Sequence, residues 1–81
     1  MGDVLYIVVP CYNEEAVLPE TQKELGNKLE TMITAGAVSE KSRIIFVDDG
    51  SKDKTWELIE KYHSQNPRIG GVKLAHNRGH Q

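Results

Sequence analysis

The chain has 81 residues, a net charge of -2, 38% apolar residues and 27% charged residues, which indicates one small domain with a modest core. This charge balance gives no electrostatic basis for binding nucleic acid, and no apolar run approaches the ~18 residues that a membrane span needs. A single cysteine cannot form an internal disulfide, which favours a reducing, cytoplasmic setting.

Two short apolar runs predict buried β-strands. The first is Val4–Val9, and Pro10 is expected to end it. The second is Ile44–Val47, which ends abruptly at two adjacent carboxylates, Asp48 and Asp49. Because both runs are continuously apolar rather than alternating, they predict a parallel sheet that is covered on both faces.

The segment between these strands has helical periodicity. Apolar residues recur from Leu18 to Ile33 at spacings that place them on one helix face. Pro19 suits the first turn of such a helix, and Gly36 suits its C-terminal stop. The first crossover is therefore predicted to be a helix.

A second helix and a third strand complete the pattern. Asp53 is the predicted N-cap of a helix over Thr55–Ser64, which Asn66 and Pro67 end. Gly71–Ala75 is the predicted third strand. The order is β-α-β-α-β, an α/β fold that forms one mononucleotide-binding half of a doubly wound sheet. Right-handed crossovers predict the strand order 3-2-1.

Polar clusters follow each strand, at the edge where open α/β sheets bind ligands. In the first cluster, Tyr12 offers an aromatic face to a base, and Glu14 can accept hydrogen bonds from base or ribose donors. The alternative is a loop in which Asn13 caps a helical turn and the glutamates complement its dipole. Cys11 has no histidine placed to activate it and is interpreted as core filler.

The second cluster begins with Asp48 and Asp49. Adjacent side chains at a strand end point to opposite sides, so the two carboxylates are expected to have different roles. One can receive a base N–H or approach a metal, while the other anchors the turn. The alternative is an Asx-turn with an N-cap, which needs only one of them.

The third cluster runs from His76 to His80. Arg78 could pair with a phosphate, and either histidine could bind a metal or a phosphate. Taken singly, each of these residues also fits a solvated loop.

The segments VVPCYNEE and FVDDGSKDKT resemble the opening of family 2 glycosyltransferases with the GT-A fold, a Rossmann-like three-layer architecture. The ending LAHNRGHQ is similar to the third-strand segment of their polyisoprenyl-phosphate branch, the dolichol- and undecaprenyl-phosphate glycosyltransferases. The resemblance implies that residues 1–81 are the N-terminal, nucleotide-sugar-binding part of a truncated GT-A domain.

The resemblance also assigns residues to the nucleotide. They are Pro10, Tyr12, Glu14, Asp48, Asp49, Asn77, Arg78 and Gly79. The first three would frame the base and ribose, Asp49, with Asp48 beside it, would read the base edge, and the last three would lie near the diphosphate.

The resemblance implies a sugar transfer from a nucleoside-diphosphate sugar to a lipid-phosphate acceptor, with Mg²⁺ or Mn²⁺ offsetting the charge of the leaving diphosphate. The family's Asp-x-Asp metal motif and catalytic carboxylate do not occur in these residues. The main cation ligands and the catalytic groups are therefore expected outside this chain, which should be inactive alone. The parent enzyme is expected in the cytoplasm or at the cytoplasmic face of a membrane, and the exposed first strand is expected to make the truncated chain self-associate.

Two other classes of α/β protein share parts of this pattern. A response-regulator receiver would carry an acidic pair after its first strand and a phosphoacceptor aspartate after its third. Here those strands end in Pro-Cys-Tyr-Asn and Ala-His-Asn, so the receiver interpretation fits poorly. A non-catalytic nucleotide-binding module would show the same pattern as this chain and remains open.

Overall fold

The computed structural model describes residues 2–74. The elements in chain order are β1 (Tyr6–Cys11), α1 (Leu18–Thr34), β2 (Arg43–Asp48), α2 (Thr55–Gln65) and β3 (Ile69–Lys73). The strands form one parallel sheet in the order β1-β2-β3, which is the predicted order 3-2-1 seen from the other edge. The predicted α/β fold and its topology are confirmed.

The first strand extends through Pro10, so the prediction that this proline ends the strand was wrong. The carbonyl groups of Leu5 and Cys11 accept hydrogen bonds from the N–H groups of Arg43 and Asp49, at 2.9 and 2.8 Å. In a parallel ladder, the backbone groups of alternate residues bond to the neighbouring strand, as those of Leu5 and Cys11 bond to β2. Position 10 lies between such residues, so its backbone groups point away from β2. Proline is tolerated there because an edge strand needs no donor on its outer side.

Both helices pack on one face of the sheet. In β2, Ile44 and Phe46 are fully buried on this face, while Ile45 and Val47 on the other face are only half-buried. The remaining core residues are Cys11, Leu18, Leu29, Ile59, Tyr62 and Ile69. Two right-handed crossovers in the same direction place their helices on the same side. Within residues 2–74 the sheet is thus covered on one face, whereas the apolar runs had predicted cover on both.

The opposite face is apolar and exposed. Tyr6 and Val8 on β1 are each 61% exposed, and Val72 on β3 is 46% exposed. Val8 pairs with Ile45 of the central strand, and Val72 pairs with Val47. These residues form a continuous strip across the three strands, called the open face below.

The third strand begins earlier than predicted, at Ile69, and Ala75 lies outside the described residues. Ile69 pairs with Ile44 and is buried beneath the helices. A Cβ added at Gly71 would lie 2.4 Å from Cγ2 of Ile59 on α2. Glycine at this position therefore lets α2 lie directly against the strand.

The predicted end of α1 is confirmed, whereas the predicted N-cap of α2 was wrong by one residue. Gly36 adopts a positive φ of 79° just beyond α1, as expected of its C-terminal stop. Before α2, the residue at the cap position is Lys54, which makes no side-chain cap hydrogen bond. The predicted cap residue, Asp53, accepts a hydrogen bond from the N–H of Thr55 at 2.9 Å instead, so it acts from one position earlier.

Candidate functional site

The loops that follow β1 and β2 emerge side by side at the carboxyl edge of the sheet. Cys11 and Asp48, the last residues of these strands, are paired in register. Tyr12, the next residue of the first loop, is 49% exposed, and Asp49, the next residue of the second, is also exposed. We call residues 10–15 and 48–55 together the rim. The structure thus brings the first two predicted clusters together.

The two aspartates of the rim point in opposite directions, as predicted. Asp48 is fully buried, and its Oδ1 accepts a hydrogen bond from the N–H of Ser51 at 3.1 Å. Its Oδ2 is also buried and has no hydrogen-bond partner within residues 2–74. Asp49 faces solvent, while its N–H donates to the carbonyl of Cys11 at 2.8 Å. Asp48 therefore anchors the turn, and Asp49 presents a carboxylate to solvent.

Asn13 joins the two loops through a reciprocal pair of hydrogen bonds. Its N–H donates to Oγ of Ser51 at 2.8 Å, and its Oδ1 accepts from the N–H of Lys52 at 2.8 Å. Its φ of 52° is left-handed, a conformation that asparagine tolerates better than most residues. The asparagine therefore acts as both donor and acceptor across the gap between the loops.

Three further hydrogen bonds continue this contact toward α2. The N–H of Glu14 donates to Oγ1 of Thr55 at 2.8 Å, and the N–H of Glu15 donates to Oδ2 of Asp53 at 3.1 Å. In return, the N–H of Lys54 donates to Oε1 of Glu15 at 3.2 Å. We call these five cross-loop hydrogen bonds the clasp. Each joins a backbone N–H on one loop to a side-chain oxygen on the other.

Asp53 is a charged acceptor at the centre of this network. The hydroxyl of Thr55 donates to its carboxylate at 2.5 Å, and this hydrogen bond is the main reason why the pKa of Asp53 lies below its usual range. Hydrogen bonds from the N–H groups of Thr55 and Glu15 act in the same direction. The carboxylate therefore stays ionised at neutral pH, and its charge strengthens the hydrogen bonds that it accepts.

Four of the N–H groups that lead into α2 are used within the protein. Those of Ser51, Lys52, Lys54 and Thr55 all donate to side-chain oxygens of the rim. Dinucleotide-binding sheets and P-loops instead direct such N–H groups at a phosphate. These four N–H groups are consequently not free to bind a phosphate at this rim.

Cys11 is a core residue, as the sequence interpretation expected. It is 3% exposed, and its thiol lies 3.6 Å from the carbonyl oxygen of Val9. Burial, assisted by the negative charges of Glu14 and Asp48, raises the pKa of this thiol to about 11. The thiol is therefore protonated at neutral pH and is not an activated nucleophile.

Pro10 and Glu14 lie on the β1 side of the rim. Both line a small cavity of about 130 Å³ between the end of β1 and the start of α1. Pro10 and Tyr12 are exposed, and Glu14 is half-buried. The nucleotide roles of these residues remain predictions.

The residues predicted to lie near the diphosphate, Asn77, Arg78 and Gly79, are outside the described residues, as are His76 and His80. Just before them, the N–H of Leu74 donates to the carbonyl of Asp48 at 3.0 Å. The chain therefore reaches the rim at residue 74, next to the second cluster.

The described part of the chain contains neither a metal-binding cluster nor a membrane-spanning helix. No group of three or more histidine, cysteine, aspartate or glutamate side chains within residues 2–74 is arranged to hold a metal ion. Among the same residues, no helix has the length and apolar character needed to cross a membrane.

Sequence reasoning missed the residues of the clasp. The sequence pattern indicates a possible helical cap at Asn13 and the start of a helix at Thr55, and it assigns no role to Ser51. Their signal was present in part, because short polar side chains that bond to backbone groups are concentrated in both loops. The sequence did not show that their partners would lie on the other loop.

Comparison with known proteins gives a consistent family. A profile described as glycosyl transferase family 2 matches residues 6–81. The uncharacterised glycosyltransferase YkoT of Bacillus subtilis is 50% identical over 96% of this chain and 23% of its own length. No solved structure gave a significant match.

Two further relatives have more specific names. An undecaprenyl-phosphate 4-deoxy-4-formamido-L-arabinose transferase of Shewanella sediminis is 32% identical over 95% of this chain and 22% of its own length. A dolichyl-phosphate beta-glucosyltransferase of Mus musculus is 38% identical over 93% of this chain and 24% of its own length. The chain thus spans less than a quarter of these relatives. Because the family profile covers nearly all of its residues, the chain belongs to glycosyl transferase family 2.

Proposed function

We propose that residues 1–81 form the donor-nucleotide-binding part of a glycosyltransferase that moves a sugar from a nucleoside-diphosphate sugar to a polyisoprenyl phosphate. The observation that carries this proposal is the exposure of Tyr12 and Asp49 side by side at the carboxyl edge of a family 2 sheet. The named relatives that act on undecaprenyl and dolichyl phosphates support the acceptor class.

In this proposal the exposed rim residues recognise the nucleoside. The ring of Tyr12 packs on the base, the carboxylate of Asp49 accepts a base N–H, and Glu14 accepts from the ribose. Pro10 shapes the pocket wall, and Asp48 supports the base-reading carboxylate by anchoring the turn beneath it. Asn77, Arg78 and Gly79 supply contacts to the diphosphate.

The reaction also needs positive charge at the leaving diphosphate, which we assign to Mg²⁺ or Mn²⁺. The described residues do not form a site for that cation, so its main ligands belong outside this chain in the proposal. The same holds for the catalytic groups. This part of the enzyme then supplies donor recognition, and the chain by itself is expected to be inactive.

The location is proposed from the acceptor and from the thiol. A polyisoprenyl phosphate lies in a membrane, so the full enzyme would work at a membrane surface. We assign this surface to the cytoplasmic face because of the thiol. The free, buried thiol of Cys11 suits a reducing compartment. Localising the tagged full-length protein by cell fractionation tests this proposal, and recovery of the enzyme from an extracellular fraction would contradict it.

Nucleotide binding is tested by NMR titration of the chain with UDP and with GDP. We expect the largest chemical-shift changes at Tyr12 and Asp49. Asp49→Ala should weaken binding by about 1–3 kcal/mol through the loss of a paired acceptor, with little change in stability. Asp3→Ala is the matched control. Asp3 is an exposed carboxylate that precedes β1, at the amino ends of the strands and therefore away from the rim.

Two results would count against nucleotide binding here. One is a folded chain that shows no shift at Tyr12 or Asp49 up to millimolar nucleotide. The other is a large loss of stability in Asp49→Ala with unchanged affinity, because Asp49 would then be structural. Equal losses of affinity in Asp49→Ala and Asp3→Ala would indicate a nonspecific effect of charge.

We also propose that copies of this chain associate through β1. This strand is an edge of the described sheet, carries Tyr6 and Val8 at 61% exposure, and contains no lysine. An open apolar edge of this kind can pair with a second chain. Light scattering should show dimers or larger species for the unmodified chain at high micromolar concentration.

The matched variants are Val8→Lys on β1 and Val17→Lys before α1. Val17 is also about half exposed but lies outside the sheet. We expect Val8→Lys to shift the chain toward monomer and Val17→Lys to leave its association unchanged. A strictly monomeric wild-type chain would refute the proposal.

A further inference from the structure

Two left-handed residues directly follow the two exposed rim side chains. Asn13, with φ of 52°, comes after Tyr12, and Gly50, with φ of 84°, comes after Asp49. Such residues turn the backbone sharply. The chain therefore turns sharply immediately after each exposed side chain.

The clasp joins these two turns to each other. Ser51, next to Gly50, accepts the N–H of Asn13, and the N–H of Lys52 returns to Oδ1 of Asn13, each at 2.8 Å. Two bonds of opposite direction between the same pair of short segments restrain rotation as well as separation. The pair cannot move apart without both bonds lengthening together.

The clasp is also tied to the buried part of the sheet. The N–H of Ser51 donates to Oδ1 of Asp48, which is fully buried at the end of β2. The N–H of Asp49 donates to the carbonyl of Cys11 at the end of β1. The turn that carries Asp49 is thus hydrogen-bonded to the ends of β1 and β2 and, through Asn13, to the first loop.

We propose that Asn13 and Ser51 are positioning residues, which fix Tyr12 relative to Asp49 before a nucleotide arrives. This inference rests on the proposed function, since it assigns a purpose to the spacing of the two candidate ligand residues. The physical basis is preorganisation: loops that are already ordered lose less conformational entropy when a ligand binds. Neither side chain needs to touch the nucleotide for this effect.

A simpler account is that Asn13 is present only because asparagine tolerates a left-handed conformation. Asn13→Gly separates the two accounts, because glycine accepts the same φ but removes Oδ1. Asn13→Asp retains an oxygen that can accept from Lys52. Ser51→Ala removes the acceptor for the N–H of Asn13. Ser64→Ala is the matched serine control, since its hydroxyl donates to Lys61 near the far end of α2.

Three measurements on the 81-residue chain test the proposal. Amide hydrogen exchange of Lys52 reports the clasp, ¹⁵N relaxation at Tyr12 and Asp49 reports their order, and titration with UDP reports affinity. In Asn13→Gly and Ser51→Ala we expect greater mobility at both rim residues and UDP binding about three- to tenfold weaker, as for the loss of one neutral hydrogen bond. Asn13→Asp and Ser64→Ala should stay within about twofold of the unmodified chain.

Unchanged mobility of Tyr12 and Asp49 in Asn13→Gly would overturn the proposal, as would a lower melting temperature with unchanged UDP affinity, since the clasp would then be only structural. An equal loss of order in Asn13→Gly and Asn13→Asp would also overturn it. If the unmodified chain fails to bind UDP while the relaxation data show the expected loss of order, the nucleotide assignment fails and the positioning effect stands.

Discussion

The two faces of the sheet carry similar residues but differ in their surroundings. Ile44 and Phe46 on the covered face are fully buried beneath α1 and α2, whereas Tyr6 and Val8 on the open face are each 61% exposed. Apolar surface stabilises a fold in proportion to the area removed from water. Side chains of one strand that differ by a single position should therefore contribute very differently to stability.

The comparison also separates folding from recognition. The covered face holds the core, and its last residue on β2, the buried Asp48, anchors the rim. The open face contributes little burial within residues 2–74 and leaves an apolar surface exposed. Paired substitutions on the two faces can test each part of this distinction.

The largest difference is expected between Phe46→Ala and Val8→Ala. Truncating a fully buried phenylalanine should reduce the free energy of unfolding by about 3–5 kcal/mol, which approaches the whole stability of a domain of this size. Val8→Ala should change it by less than about 1 kcal/mol, because most of that side chain is already in water. Urea unfolding followed by circular dichroism measures both. Similar losses in the two variants would show that the open face is buried in solution.

The next difference is expected between the adjacent glycines of β3. A Cβ at Gly71 would lie 2.4 Å from Ile59 on the covered face, while one at Gly70 would lie 3.1 Å from the terminal Cδ1 of Ile45. The first contact forces the helix or its side chain to shift, and the second can be relieved by a rotation at the end of a side chain. We expect Gly71→Ala to cost about 1–3 kcal/mol of stability and Gly70→Ala less than about 1 kcal/mol, measured by thermal unfolding. The reverse order would contradict the described packing of α2.

A smaller effect is expected from the covered thiol at high pH. The pKa of Cys11 is raised to about 11 in the folded chain, so the unfolded chain loses this proton first as pH rises. The contribution of Cys11 to stability is therefore fully present below pH 9 and is lost between about pH 9 and 11. Unfolding curves at pH 8, 9 and 10 should show this decline. In Cys11→Ala, the loss of stability that begins near pH 9 should be absent. A loss at higher pH should remain in this variant, because burial also raises the pKa of Tyr62.

The smallest effect is expected at the solvent-exposed ion pair of Arg68 and Glu30. These side chains meet at 2.8 Å and are 26% and 53% exposed. Exposed ion pairs are weakened by solvent and salt, so Glu30→Gln should lower stability by less than about 1 kcal/mol, and the difference should shrink at high salt. Chemical denaturation with urea at two salt concentrations provides the measurement. A difference that stays large at high salt would show that the pair does more than attract charge at the surface.

The sequence predicted the parts of this structure that depend on local pattern. Helical spacing located α1 and α2, and the chain order with right-handed crossovers gave the sheet. The opposite directions of Asp48 and Asp49 followed from strand geometry alone. Pro10 was misplaced because its fit within β1 depends on that strand lying at an edge, which is a property of the whole sheet.

The clasp could not be predicted for a related reason. Each of its hydrogen bonds joins a backbone N–H to a side chain 38 to 41 residues away. Polar residues in two loops indicate turns, but the pairing between them depends on the lengths and directions of both strands. The cover on one face differs from the clasp, because it follows from the predicted topology: two right-handed crossovers in the same direction place both helices on one side of the sheet. The apolar strands, taken alone, had indicated cover on both faces.

The clasp has a consequence for how β1 finds its alignment on β2. A slip of one residue would exchange the two faces of β1. A slip of two residues would keep the same side chains inward while displacing the strand by roughly 6.6 Å, so the apolar pattern alone discriminates weakly against it. That displacement would separate Asn13 from Ser51 and break the clasp. The polar loops therefore favour one strand alignment among those that bury the same apolar side chains. A two-residue misalignment during folding would be opposed by the loss of the hydrogen bonds at the rim.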